Sequence, residues 1–389
     1  MKIAMFSDNF NPELSGISDS IIMTGKELVA LGHEIRFYCP KYSLADYKKV
    51  GLEMKEIDLG NGISVHRLFS IPVKTGTGQG RLVIPLGAGW RSLKKWKPDI
   101  IHSHLIFGVG LEGLIAAKKL KVPFIGTNHT SFRQFIDHLS EWLRKVVLKY
   151  VTWYYNKCDF VTAPSEFLLK EMVADGFNKP HQSISNPVDT KRLLPVDDVQ
   201  KMELKKQLNF SDKVVIYAGR LAVEKNIDVM VRAFSIVSKK LPKASLVLVG
   251  QGPAKKDLEK LANELGVGGS VKFTGYLGGD DLVKAYQASD IFAVTSTSET
   301  QCLSMMNAMA VGIPVVGVEA GGLAQYINED NGYKIKSDDH EAVAEKIISL
   351  LENSELRKKL GQGGYEFAQQ FSISAMANHW AEIYKRFIK

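Results

Sequence analysis

KVVIYAGRLAVEKNIDVMVRAF (213–234) decides the fold. Its first six residues form a short, mostly apolar run, the pattern of a strand buried on both faces. Gly219 lets the backbone turn tightly after it. From Asn226 onward apolar residues recur at helical spacing. Strand, glycine turn and helix in that order make one unit of an open parallel sheet. The unit then repeats: ASLVLVGQG (244–252), SVKFTGY (270–276), DIFAVTS (290–296) and IPVVGV (313–318) read as strands separated by helices. The same rhythm precedes it in KIAMFSD (2–8), HEIRFYC (33–39), ISVHRL (63–68), DIIHSHL (99–105), VPFIGTN (122–128) and FVTAP (160–164). Such alternation predicts an α/β protein with parallel sheets covered on both faces. The stretch 187–212 carries Pro187, Pro195 and a charged helix with little apolar face, and separates the two series. Ligands of such sheets bind beyond the carboxyl ends of the strands, so two facing sheets would form a cleft there.

The totals agree with a two-domain globular chain. It has 389 residues, 45% hydrophobic and 24% charged. The net charge of +8 favours anionic partners without choosing among them. Cys39, Cys158 and Cys302 lie far apart without metal-ligand spacing, so a reducing cytoplasm is the expectation. The N-terminus turns polar at once, unlike a signal peptide. No apolar run approaches the roughly 18 residues of a membrane span, so any membrane role is peripheral.

The chemistry-bearing residues fall just after strands. In GRLAVEKN (219–226), Arg220 offers a planar fork of donors suited to phosphate oxygens, and Lys225 adds a compact charge near a helix start. Together they predict a grip on a diphosphate without a metal; the plain alternative is a strand-end loop with two surface cations. GQGP (250–253), with Gly250 and Gly252, is either a second close-approach turn or an ordinary one. SETQCLSMMNAMAVGIPVV (298–316) places Glu299 after a strand, where a carboxylate accepts sugar hydroxyls or caps the next helix. Gln301, Cys302 and Leu303 lead into that helix, whose first N–H groups suit phosphate or sugar oxygens, and Asn307 lies near its middle. No D-x-D motif appears, in keeping with cationic side chains neutralising the charge.

These segments resemble family 4 of the retaining glycosyltransferases, with the GT-B fold of two facing Rossmann-like domains. The resemblance extends over essentially the whole chain. It implies an N-terminal acceptor domain at 1–190, a C-terminal nucleotide-sugar domain at 191–371, and a last helix at about 372–389, AMANHWAEIYKRFI (375–388), crossing back to the first domain. It implies that Arg220 and Lys225 bind the diphosphate and that Glu299, the first Glu of an E-x7-E motif, contacts the donor sugar. Asn307 stands in place of the second, ribose-binding Glu, and Cys302 in place of the usual Gly, its side chain crowding a loop where backbone approaches the donor. DNFNPELSGISDSI (8–21) is similar to a loop of the enzymes that add glucose to diacylglycerol. There Gly16 approaches the donor phosphate, and Asp19 and Ser20 begin the first helix on the acceptor side. His129 matches a family histidine near the transferred sugar. The implied donor is UDP-glucose, with no metal cofactor and no covalent nucleophile named.

LSEWLRKVVLKYVTWYYNK (139–157) has apolar residues at 139, 142, 143, 146, 147, 150, 151 and 154, with Arg144, Lys145 and Lys149 on the other side. With Trp142 and Trp153, this is either a core helix with a solvated basic face or a helix lying on an anionic membrane. Arg91, Lys94, Lys95, Lys97, Lys118, Lys119 and Lys121 add charge to the same half. The expectation is a lipid acceptor at the inner face of the cell membrane. The alternatives are a polysaccharide or polyprenyl-linked acceptor, or a nucleotide-sugar-binding protein of weak activity. No nucleic-acid-binding signature is present.

Overall fold

The structure is a computed structural model describing residues 1–13, 15–73, 79–137 and 139–388. Leu14, in the loop read as facing the donor, and Lys389, the expected end of the last helix, lie outside the described residues. The chain forms two compact units: Met1–Pro187 with Ile373–Lys389, and Val188–Ser372. The division falls three residues before 190. Val188 donates its N–H to Phe371 O, so the segments entering and leaving the second unit meet in an isolated parallel bridge.

The second unit is built on a sheet whose strand order is Val271–Gly275, Ala244–Val249, Lys213–Ala218, Ile291–Val294, Val315–Val318, Gly332–Ile335. Every pairing is parallel. Counted along this unit the order is 3-2-1-4-5-6, the doubly wound arrangement. Strands such as Val214–Ala218 and Leu246–Val249 are buried throughout, because helices cover both faces. The helix Ile227–Lys240 buries Ile227, Met230, Val231, Phe234 and Val237, one stripe at helical period. At the amino end of the sheet, Asp290 accepts from the Val214 N–H and pairs with the mostly buried Lys205 at 2.6 Å.

The first unit repeats the plan with the order Ile63–Leu68, Glu34–Pro40, Lys2–Phe6, Ile100–Ser103, Phe124–Thr127, Phe160–Ala163, His181–Ser183. An antiparallel pair, Ser70–Pro72 with Arg81–Val83, stands apart from this sheet. The final helix Ile373–Lys385 belongs to this unit and packs against Gly16–Ala30.

The helix Gly16–Ala30 starts earlier than the sequence suggests. Ser15 is its cap, accepting the Ile17 N–H, so Asp19 and Ser20 lie inside the first turns rather than at the start.

Candidate functional site

In the second unit, strand order reverses between Lys213–Ala218 and Ile291–Val294, which pair directly. The carboxyl ends of these two strands carry the predicted residues. Gly219 and Arg220 leave the first strand, a single 3-10 turn spans Val223–Lys225, and Asn226 opens the following helix with φ 48°. From the second strand the chain runs through Thr295–Ser298 to Glu299. Lys225 Nζ and Glu299 Oε1 meet at 2.7 Å, with both side chains less than one-fifth exposed. Arg220 pairs with Glu224, and both of these are about half exposed. Three hydrogen bonds stitch the two loops: Thr295 Oγ1 donates to Asn226 O at 2.7 Å, Asn226 Nδ2 to Thr297 Oγ1 at 3.3 Å, and Ser298 Oγ to Glu224 O at 3.1 Å. Glu299 is therefore an ion-pair partner and not a helix cap.

The cap of the helix Leu303–Ala310 is Cys302, in the left-handed region at φ 67°. That conformation suits glycine and costs an L-residue roughly 1–2 kcal/mol. The Cys302 side chain is buried in the core beneath the loop, with Sγ 3.4 Å from Ser304 Oγ. Burial pushes its thiol up to about 12, so it stays protonated. The side chain belongs to the core cluster of this unit and still feels the charges of Glu299 and Lys225. Leu303, Ser304 and Asn307 are the residues of this helix that are not buried, and their i, i+1, i+4 spacing puts them on one face. Asn307 thus lies on the same open face as the helix start. Gln301 is buried.

Gly250 and Gly252 serve the packing of loop on loop. A Cβ at Gly250 would lie 1.9 Å from Gly219 O, and one at Gly252 would lie 2.1 Å from Leu221 O. The loops are joined there by Leu221 N–H to Gln251 O at 2.9 Å and Ala254 N–H to Leu221 O at 3.0 Å. Gly321 and Gly322, which the sequence reading missed, do the same for the Glu299 loop. The Gly322 N–H donates to Glu299 O at 2.7 Å, and a Cβ there would lie 2.0 Å from Thr300 O. Their signal was a glycine pair directly after a strand.

The first unit has its own reversal, between Lys2–Phe6 and Ile100–Ser103. The sequence reading finds no full G-x-G-x-x-G, and that is corrected: GVGLEG (108–113) has the spacing and opens the helix Gly108–Leu120. Its helix start is already occupied. The buried Asp8 carboxylate accepts N–H groups from Phe107, Val109 and Gly110 at 3.1, 2.8 and 3.3 Å. Desolvation still outweighs these bonds and raises its carboxyl to about 6.

His129 follows the neighbouring strand Phe124–Thr127 and is buried. Its Nε2 lies 3.3 Å from His104 Nδ1. Desolvation lowers His129 to about 4 and His102 to about 3, and it lowers His104 as well. All three rings are neutral at pH 7. Gly16 is exposed at the start of its helix and Asp19 is exposed within the first turn. On the helix Glu141–Tyr155, Val151, Tyr154 and Tyr155 are buried, whereas Trp142, Val146 and Trp153 are exposed beside Lys145 and Lys149. Arg144 pairs with Asp137 at 2.8 Å and Lys145 with Glu141 at 2.7 Å. The solvated face of this helix is thus aromatic as well as basic. Among the described residues, no helix is long and apolar enough to cross a membrane, and no group of three or more His, Cys, Asp or Glu is placed to hold a metal ion.

Known proteins share this organisation. Residues 14–192 match the family described as Glycosyltransferase Family 4, and residues 199–367 match Glycosyl transferases group 1. Sulfoquinovosyl transferase SQD2 of Arabidopsis thaliana is 32% identical over 295 residues, 73% of this chain and 56% of that protein. The chain thus spans little more than half the length of that relative. Alpha-monoglucosyldiacylglycerol synthase of Acholeplasma laidlawii is 26% identical over 398 residues, 99% of this chain and 96% of that protein. The crystal structure of Anabaena HepE in complex with UDP-glucose is similar in fold, with a TM-score of 0.77 at 20% identity over 99% of this chain and 100% of that one. With two doubly wound units of the GT-B class and family matches that meet close to the division between them, the chain belongs to glycosyltransferase family 4.

Proposed function

We propose that this chain is a retaining glycosyltransferase that moves glucose from UDP-glucose to a lipid acceptor, such as 1,2-diacylglycerol, at a membrane surface. The observation that carries this reading is the Lys225–Glu299 pair at the strand reversal of the second unit, with Arg220 beside it. An arriving diphosphate offers both cations a better partner than a carboxylate does. Lys225 then turns to phosphate, and Glu299 is released to accept hydroxyls of the sugar. As the bond to the leaving diphosphate breaks, charge grows on its oxygens, and Arg220 and Lys225 stabilise it. Such preorganised stabilisation is usually the largest catalytic term. On this reading the two cations do the neutralising and no metal is required. Front-face attack by the acceptor hydroxyl then retains the anomeric configuration.

The choice of glucose and diacylglycerol rests on the loop 8–21 and on the name of the Acholeplasma laidlawii relative. The membrane surface is supported by Trp142, Val146 and Trp153 standing exposed among lysines, since aromatic and basic side chains together suit an anionic interface. The protein would then sit at the inner face of the cell membrane without spanning it.

The test is a screen of UDP- and GDP-sugars against diacylglycerol in anionic vesicles, with and without a chelator. The expected result is UDP release from UDP-glucose that depends on the vesicles and ignores the chelator. Turnover that needs no vesicles would favour a soluble or polyprenyl-linked acceptor. Nucleotide binding without turnover on any acceptor would leave a nucleotide-sugar-binding protein.

A further inference from the structure

The antiparallel pair Ser70–Pro72 and Arg81–Val83 turns an unusual face to solvent. Its register sets Ser70 opposite Val83 and Ile71 opposite Leu82. Ser70 and Val83 are buried against the first unit, and Ser70 Oγ donates to Lys41 O at 2.6 Å. Ile71 and Leu82 therefore point outward, because side chains alternate along a strand. The flanking positions on that side, Phe69 and Ile84, are exposed too, and so is Leu86 two residues further on. Phe69 is 75% exposed and Leu86 71%. A sheet with one solvated face ordinarily alternates apolar-in and polar-out. Here the outward positions are apolar, and contiguous exposed apolar surface marks an interaction site.

The surroundings of this face select its partner. Leu86 leads through Gly87 into the helix Ala88–Trp96. The buried Glu112 carboxylate accepts the Gly87 and Gly89 N–H groups at 2.6 and 2.9 Å, which fixes the junction. That helix contains no acid, and Arg91, Lys94 and Lys95 are exposed on it. The helix Gly108–Leu120 packs beside it and adds exposed Lys118 and Lys119, with Lys121 just beyond; its one acid is the buried Glu112. Lys94 and Lys119 converge on the Trp90 ring, at 5.9 and 5.0 Å from its centroid. Among the described residues none of these cations forms an ion pair. Arg144 and Lys145, on the helix Glu141–Tyr155, are both paired.

A second copy of this chain suits the face poorly. A two-fold contact sets a patch against itself, so the cations would approach their like. An anionic bilayer meets both requirements: its hydrocarbon takes the apolar side chains, and its phosphates take the unpaired cations. We propose that Phe69, Ile71, Leu82, Ile84 and Leu86, framed by the cations of the two adjacent helices, dock the first unit on an anionic membrane. The helix Glu141–Tyr155 is then a secondary contact. This rests on the membrane reading above and locates the surface that docks.

The test is flotation of the full chain with vesicles of phosphatidylcholine alone and of phosphatidylcholine with phosphatidylglycerol. Binding is expected only with the anionic lipid, and added salt is expected to weaken it. Phe69→Ser with Leu86→Ser is expected to weaken partitioning about 10-fold or more, and so is Lys94→Glu with Lys95→Glu. Trp142→Ser with Trp153→Ser is expected to weaken it less than about 3-fold. These side chains are all exposed, so the variants are expected to fold, which circular dichroism melts check. A second measurement needs no loss of binding. Leu86→Cys is labelled with an environment-sensitive dye, the native Cys39, Cys158 and Cys302 being buried. Its emission is expected to shift to the blue on anionic vesicles, and further than that of the same dye at Trp142→Cys. Binding lost in the tryptophan pair and kept in the other two would overturn the proposal and leave the membrane reading. No binding to any vesicle would overturn both. Self-association that Phe69→Ser with Leu86→Ser abolishes, seen by sedimentation velocity without vesicle binding, would assign the face to a second copy and overturn the proposal. Vesicle binding through this face without sugar transfer to diacylglycerol would remove the acceptor and leave the docking face standing.

Discussion

The two strand reversals share a topology and differ in charge. In the second unit Lys225 and Glu299 meet as ions, and Arg220 stays half exposed in its pair with Glu224. In the first unit the groups at the same topological position are buried and have lost charge: the histidines are lowered by desolvation and Asp8 is raised by it. The helix start there is filled by Asp8 itself. One site is thus built to exchange ionic partners, while the other offers neutral hydrogen bonds. On the proposed reading, the anionic donor would draw on the first kind of surface and an uncharged hydroxyl acceptor on the second.

The strongest challenge to this comparison is removal of the cations. Arg220→Ala and Lys225→Ala are each expected to lower turnover about 10-fold or more, and the double variant about 100-fold, because developing charge loses its partners. Steady-state kinetics on the purified variants checks this. Near-normal kcat with lowered thermal stability would show that the Lys225–Glu299 pair serves only the fold.

A smaller effect probes the neutral site. A histidine with a depressed folded pKa contributes stability that is full above about pH 6.5 and is lost as pH falls towards its folded value. His102 and His129 both have that sign, with folded values of about 3 and 4. Asp8 has the opposite sign, because a raised carboxyl favours the folded state as it protonates below about 6. Each histidine, His104 included, is worth about 1.4 kcal/mol per pH unit across its window, so three histidines set against one carboxylate are expected to lower stability by about 4 kcal/mol between pH 7 and pH 5. Denaturant titrations should show His129→Gln losing less than the wild type over that range. Equal losses would mean that His129 is not buried neutral.

Much of this contrast was legible before the structure, though unevenly. Buried runs such as LVLV (246–249) declare themselves as strands because both faces must be apolar. His181–Ser183 and Gly332–Ile335 do not, being short strands at the sheet edges that carry polar or glycine residues. Arg220, Lys225 and Glu299 were each visible as strand-end residues. Their pairing was not, because Lys225 and Glu299 lie 74 residues apart and meet only through strand order. The histidine stack was the least legible feature. His102 sits in an ordinary apolar strand, and its partner Tyr384 lies 282 residues away on the last helix. No local pattern announces a contact made by a returning terminus.

The smallest expected effect sharpens the charged side of the comparison. Asn307 replaces the family's second glutamate on the open face it shares with Leu303 and Ser304. An amide both donates and accepts hydrogen bonds, but its neutral oxygen makes weaker bonds to ribose hydroxyls than a carboxylate does. Asn307→Glu adds an acceptor charge at mid-helix, beyond the first turn where helix N-terminal N–H groups respond most. The ribose gains a charge-assisted bond, while the diphosphate feels a modest repulsion. Bonds to charged groups contribute about 1.5–3 kcal/mol against about 1 kcal/mol for neutral ones, so nucleotide binding is expected to tighten about 5-fold after the repulsion is subtracted. Calorimetry with UDP at low and high salt separates the two effects, since added salt should relieve the repulsion and leave the ribose bond. Unchanged or weaker binding at both salt concentrations would mean that the open face of this helix does not meet the ribose, and the charged site would then be confined to Arg220, Lys225 and Glu299.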